Sequence, residues 1–316
     1  VGEENRGLMA MFTMMNNARL AVALQGVSIA ERATQQAVAY AMERRQGKAP
    51  GAKGEGISAI IEHPDVKRML ATMRASTRAA RAICYMLAAE IDRAHLGASE
   101  AERKAGNARA SLLTPIAKAY ATDIGNEVAS LGVQVHGGMG FVEETGAAQH
   151  MRDARIYAIY EGTNGIQAID LVTRKIGIDG GGLVAAEIAR MRHVIAEVKG
   201  SNATGFGQTA VRLGAAVDAL ETATQHLLVA LASDPADAQA GATPYARLFG
   251  LALGGTSLAE KALRLRGNGA SDTESAEALG LARFFAENLA TAAPGLGASI
   301  VTGGHSITDL DIPLAS

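Results

Sequence analysis

Glu161 is the residue of this sequence best placed to do chemistry. It stands in the run Tyr160-Glu161-Gly162-Thr163, followed by Asn164 and Gly165, where a helical pattern is about to begin. A carboxylate at such a junction can serve as a general base, and a neighbouring glycine lets another molecule approach the backbone. Thr163, Asn164 and Gly165 would present free amide groups at a helix start, which favour an anion. On spacing alone, blander roles serve better: the helix macrodipole favours an acid there, and Thr163 is an ordinary N-cap. The run from His136 to Gly140, HGGMG, is by itself a helix-ending turn. Cys84, the single cysteine, and His95 lack ligand spacing, so no metal site is expected.

The elements that must position these residues are helical. From Met9 to Arg45, Leu20, Leu24, Val27, Val38 and Met42 keep one helical face. The segment Gln46 to Gly56, rich in Gly, Lys and Ala, is expected to be an exposed loop. After Pro64, which suits a first helical turn, Val66, Leu70, Met73, Thr77, Ala80, Cys84, Leu87 and Ile91 form the cleanest stripe. Gly97 and Ser99 punctuate. A third pattern carries Leu113, Ile116, Tyr120, Ile124, Leu131 and Val135, and a fourth helix should follow Glu161, with Ile166, Ile169, Leu171 and Ile176 as its apolar positions. The prediction is an all-α chain: an antiparallel four-helix bundle over residues 1–177, then a second helical bundle over residues 178–316. The Gly-rich run Gly177 to Gly182 marks the boundary. Four further patterns lie around Ile188 to Val198, Leu213 to Leu231, Leu248 to Leu265 and Leu279 to Leu289, and an irregular tail is expected from Pro294.

Bulk properties narrow the function classes. A chain of 316 residues with 48% hydrophobic content can bury substantial cores, and 4% aromatics, no Trp and seven Pro favour helix over sheet. A net charge of −2 with scattered signs offers no basic stripe, so nucleic acid is not an expected partner. No apolar run is long enough to span a membrane, and the lone cysteine fits a reducing cytoplasm. The chain opens on Val1 within the phrase VGEENRGL, which suggests a truncated sequence.

Three stretches carry a resemblance. QVHGGMGF at Gln134 to Phe141, MRDARIYAIYEGTNGIQ at Met151 to Gln167, and the segment from Asn16 to Lys48 are together similar to the C-terminal part of the acyl-CoA dehydrogenases, in order through the first 177 residues. The resemblance implies FAD as cofactor and an acyl-CoA substrate, oxidised to a trans-2-enoyl-CoA. Glu161 would take the α-proton while the β-hydride passes to the flavin, and an apolar pocket would raise the pKa of this base. Some relatives place their base immediately before the residue matching Arg19; this chain has Ala18 there. Arg19, Asn16 and Gly162 are expected at the substrate. Arg44, Arg45 and Gln46 match the helix end that reaches the FAD pyrophosphate of a neighbouring subunit, where an Arg fork suits phosphate. This chain departs from relatives by inserting the loop after Gln46. His63 falls in a further FAD-contact region. Gln134, Val135, His136, Gly137 and Gly138 match the segment on the adenosine half of FAD, and Thr163, Asn164 and Gly165 follow the base near a cofactor phosphate. Arg152, Asp153 and Arg155 are left to ion pairs that position the preceding turn.

The resemblance further implies electron-transfer flavoprotein as acceptor, a homodimer or homotetramer, a place in β-oxidation, and two missing N-terminal domains without which the fragment is inactive. The part after Gly177 resembles, more weakly, the extra helical domain of a long bacterial subgroup that includes enzymes of methylthiopropionyl-CoA. A flavin oxidase and a non-catalytic nucleic-acid-binding homologue are the alternatives.

Overall fold

The computed structural model describes residues 2–52, 56–201, 203–267 and 271–311, apart from the side chains of 12 and 13. Among these residues the elements are all helical: α1 (Gly7–Glu43), α2 (Pro64–Leu96), α3 (Glu100–His136), α4 (Gly138–Phe141), α5 (Ala147–Tyr157), α6 (Asn164–Asp170), α7 (Gly182–Gly200), α8 (Thr209–Ser233), α9 (Pro235–Ala240), α10 (Ala242–Gly267), α11 (Asp272–Phe284), α12 (Ala293–Thr302) and α13 (Gly304–Thr308).

Three long helices, α1, α2 and α3, pack side by side, as their stripes require. In α2 the stripe from Leu70 through Met73, Thr77, Ala80, Cys84 and Leu87 is buried. Ser99 begins α3 with a reciprocal capping box to Glu102, a device that contributes about 1 kcal/mol. Of the large residues read as the inner face of α1, Val27 is buried and Leu20, Leu24 and Val38 pack half-buried against the core, whereas Met42 does not. Met42 is 61% exposed, and the core stripe is Ala23, Val27, Ala30, Ala33, Ala37 and Ala41. Small residues win because the backbones come close: a Cβ at Gly26 would overlap the Ala121 carbonyl, and one at Gly125 would meet the Gly26 oxygen at 3.0 Å. Large residues there would force the helices apart.

The loop after Gln46 is only partly open. Ala49 is buried and its amide donates to Ser58 Oγ at 3.1 Å, while residues 53–55 lie outside the described residues. The fourth helix is shorter than its apolar positions suggest. α6 spans seven residues and runs into a π turn at Leu171–Lys175, which turns Leu171, Val172 and Ile176 into the core while Ile166 stays exposed.

At the glycine run the chain reverses through three left-handed residues, Asp179, Gly180 and Gly181. Beyond it α7, α8, α10, α11 and α12 pack together, and α10 also lies across α2 and α3. That crossing is close: a Cβ at Gly250 would overlap the buried Tyr120 ring, and one at Gly254 would meet Ala79 Cβ at 2.9 Å. Arg247 covers the Tyr120 ring and pairs with both oxygens of Glu127 at 2.7 and 2.8 Å. The tail expected to be irregular is instead helical. Pro294 sits in the first turn of α12, where its missing N–H costs nothing, and Gly297 lets the helix seat on Ala219 with Ile300 fully buried. Residues 312–316 lie outside the described residues.

Candidate functional site

Glu161 lies in the turn between α5 and α6, and the turn is built against the local backbone preference. Its φ is 57° and that of Gly162 is 85°, two consecutive left-handed residues that reverse the chain. Gly162 adopts this at no steric cost, but a non-glycine residue there costs on the order of 1–3 kcal/mol and persists only where its surroundings hold it. They do so through carbonyl groups. The Glu161 carbonyl accepts from Arg19 Nε at 3.4 Å and from Gln167 Nε2 at 3.3 Å. The Gly162 carbonyl accepts from Lys118 Nζ at 2.8 Å. Space enforces glycine as well, since a Cβ at 162 would lie 2.7 Å from Gln167 Nε2.

Asn164 locks the turn onto α3. Its Oδ1 accepts from Lys118 Nζ at 2.9 Å, and its Nδ2 donates to Asp123 Oδ1 at 2.7 Å and to the Ala119 carbonyl at 3.2 Å. Thr163 caps α6, its hydroxyl accepting from the Ile166 amide at 3.3 Å. The side chains of Thr163 and Asn164 are thus engaged within the turn. Burial sets the electrostatics here: it pulls the Lys118 ammonium down to about 8, with the like charge of Arg19 adding to the effect and Asp123 and Glu161 opposing it. Burial likewise pushes the Asp123 carboxyl up, against the Asn164 hydrogen bond.

Arg19 connects this turn to the expected substrate residues. Its Nη1 donates to Asn16 Oδ1 at 3.3 Å, and both residues line a cleft of about 350 Å³ together with His95, Ser111, Asp170 and Lys175.

The residues expected at the cofactor gather elsewhere, where α1 ends. Arg44 caps that helix in extended conformation, and its Nη2 reaches Gln46 Oε1 at 3.5 Å. His63 Nε2 donates to the Gln46 carbonyl at 2.8 Å, and Arg45 Nη1 to the Ile57 carbonyl at 3.4 Å. Arg44 and Arg45 are exposed, and these long contacts leave most of their donors open to solvent. The end of α3 belongs to the same region, because the His136 ring stacks on Tyr40 of α1 at 4.4 Å and bonds the Gly132 carbonyl at 2.7 Å. Val135 is buried, Gln134 is exposed, and nothing stands within 4 Å of a Cβ built at Gly137 or Gly138. Gly137 has a φ of 60°, and the space over both glycines is open. Roughly 36 Å of helix separates Arg19 from Glu43 at 1.5 Å per residue. One chain therefore carries two separate clusters, Asn16, Arg19 and Glu161 to Gly165 in one, and Arg44 to Gln46, His63 and Gln134 to Gly138 in the other.

Arg152 pairs with both oxygens of Glu143 at 2.9 and 2.7 Å, an ion pair beside the turn that precedes α5. Sequence reading missed Lys118, Asp123 and Gln167, and Thr122, whose hydroxyl accepts from Asn164 Nδ2 at 2.9 Å. The available signal was Lys118 and Asp123 within PIAKAYATDIGN, two charges five residues apart in a stretch otherwise of small and apolar residues. Among the described residues no group of three His, Cys, Asp or Glu is arranged to hold a metal, and no helix is long and apolar enough to cross a membrane.

Residues 5–176 match the family model described as acyl-CoA dehydrogenase, C-terminal domain, and residues 186–311 match acetyl-CoA dehydrogenase C-terminal like. The chain is 44% identical over 295 residues to the 3-methylmercaptopropionyl-CoA dehydrogenase of Ruegeria pomeroyi, an alignment covering 92% of this chain and 48% of that protein. It is 34% identical over 200 residues to a butyryl-CoA dehydrogenase of Syntrophomonas wolfei, covering 63% of this chain and 33% of that one. The chain thus spans half or less of the length of these relatives. Two solved structures share the fold. ACDH-11 of Caenorhabditis elegans, in complex with C11-CoA, has a TM-score of 0.75 at 20% identity over 98% of this chain and 49% of that one. An acyl-CoA dehydrogenase of Bacillus anthracis, complexed with FAD, has 0.73 at 19% over 96% and 51%.

Proposed function

This chain belongs to the acyl-CoA dehydrogenase family, and from that membership we propose that it is the C-terminal helical part of an FAD-dependent enzyme that oxidises acyl-CoA to trans-2-enoyl-CoA. The observation that carries the proposal is the turn at Glu161 and Gly162. A left-handed glutamate held through its own and the next carbonyl is a strained, over-determined position, the kind of feature that marks functional sites.

In the proposed reaction the Glu161 carboxylate takes the α-proton of the thioester and a hydride leaves the β-carbon. FAD, when bound, supplies the acceptor for that hydride. Arg19 and Asn16 bind substrate at the cleft they line, and Gly162 follows the base in the turn that Arg19 and Lys118 hold. The donor set at the end of α1 suits the cofactor: the exposed Arg44 and Arg45 forks fit a diphosphate, with Gln46 and His63 beside them. The open glycines at 137 and 138 suit close approach of its adenosine half. The distance between the two clusters supports a cofactor whose contacts come from two subunits, hence a homodimer or homotetramer. Electron-transfer flavoprotein is the proposed acceptor.

The test is anaerobic flavin reduction in the full-length protein by a panel of acyl-CoAs that includes butyryl-CoA and 3-methylmercaptopropionyl-CoA. Wild type should bleach with at least one of them, and Glu161→Gln should slow bleaching by at least about 100-fold, the lower range for loss of a general base. Equal bleaching would move the base elsewhere; no bleaching in wild type would favour a non-catalytic homologue.

A further inference from the structure

Lys118 is a lysine with no solvent exposure, in the middle of α3, and nothing in the proposed chemistry uses it. Its ammonium makes two bonds, at 2.8 Å to the Gly162 carbonyl and at 2.9 Å to Asn164 Oδ1, so one cation ties the exit of the strained turn to the first residue of α6. The other two donors to the turn are weaker anchors: Arg19 and Gln167 reach the Glu161 carbonyl only at 3.4 and 3.3 Å, and Arg19 is half-buried. The short, buried, charge-assisted bond is the strongest single restraint on the turn. It is also referenced to a rigid element, because Asn164 is bonded in turn to Ala119 and Asp123 of the same helix. The charged groups around the ammonium are Asp123, Arg19 and Glu161.

We infer that Lys118 is a positioning residue for the Glu161 base: its ammonium pins the Gly162 carbonyl and the Asn164 side chain to α3 and so holds Glu161 in its left-handed conformation. Removing the pin lets the turn relax toward ordinary backbone angles and moves the carboxylate. A displacement of about 1 Å at a reacting group can cost on the order of 100-fold in rate. The inference rests on Glu161 being the base.

The experiment uses the flavin-loaded, full-length protein and Lys118→Met, which keeps an apolar stem and removes the donors. Three readouts are taken: the rate of anaerobic flavin reduction by an acyl-CoA that wild type oxidises, the affinity for a non-oxidisable 3-thia-acyl-CoA, and hydrogen exchange in the peptide covering residues 158–165. The expected result is reduction slowed about 100-fold per bound flavin, thioether affinity little changed, and faster exchange confined to that peptide. A merely structural lysine would lower flavin content or the melting temperature and leave the rate per bound flavin intact, and that result overturns the inference. If Lys118→Met does not fold, Lys118→Gln, which retains a donor on a shorter neutral stem, takes its place with the same expectations at smaller magnitude. If neither folds, Lys118 serves folding and the inference falls. Absence of reduction in wild type itself would overturn the dehydrogenase reading and with it the role of Lys118 toward a base, while unchanged exchange at 158–165 in the variant would overturn the pin itself, so the two failures are told apart.

Discussion

Replacing Arg109 with Met should cost this chain roughly 3 kcal/mol of stability, the lower end for breaking a buried ion pair by removing one partner. Arg109 lies where α2, α3 and α7 meet. Its Nε and Nη2 hold the two oxygens of Glu187 at 2.8 and 3.0 Å, and its Nη1 holds Glu90 Oε1 at 2.7 Å. The carboxylates are 1% and 9% exposed, so solvent cannot replace the lost cation. Glu187 would keep Arg190, bonded at 2.6 Å, which is why the lower end applies. Glu90 would keep only Arg93, at 3.8 Å. Urea unfolding of wild type and variant at pH 7 reads the difference as about a hundredfold change in the unfolding constant. The same pair of proteins tests the sign with pH. Burial opposes ionisation of Glu187, but hydrogen bonds and charge from Arg109 and Arg190 outweigh it and hold the carboxyl below its usual 4.5. A depressed carboxyl contributes stability that is present above its unfolded pKa and is lost as pH falls through the folded one. The gap between wild type and variant should therefore be full at pH 7 and narrow below about pH 4.5. A gap under about 1 kcal/mol at neutral pH, or one that widens on acidification, would refute the account.

Two further outcomes follow from packing. Gly250→Ala places a methyl into the buried Tyr120 ring under Arg247, and should lower the urea midpoint by the equivalent of about 1–3 kcal/mol; an unchanged midpoint would mean that α10 does not sit on α3 as described. Cys84 is fully buried and its thiol is pushed up to about 12 by desolvation, with Arg81 opposing, so a disulfide reagent should react only as the chain unfolds; rapid labelling of the folded chain in the absence of urea would refute this burial.

Much of the architecture was legible in the residues themselves. The α2 stripe from Leu70 to Leu87, the Ser99 start of α3 and the Thr163 cap of α6 depend on neighbours within a turn or two, and local periodicity and capping chemistry act at that range. Glu161 and the residues after it are singled out by the resemblance of their stretch, since spacing alone favours an ordinary helix start. What the linear chain could not express were relations between elements. Met42 looked like core and is exposed near the end of α1, and the α1 to α3 crossing is so close at Gly26 and Gly125 that a Cβ on Gly26 would overlap the other backbone. The tail after Pro294 looked irregular and is helical, because α8 and α10 offer Gly297 and Ile300 a surface to pack on, and such packing overrides weak local propensity. Lys118 is 43 residues before Glu161 in the sequence and touches the turn that carries it. The types of residue that could react were thus written locally, whereas the angle at which Glu161 is held, and by what, was decided only when α3 came to lie beneath the turn between α5 and α6.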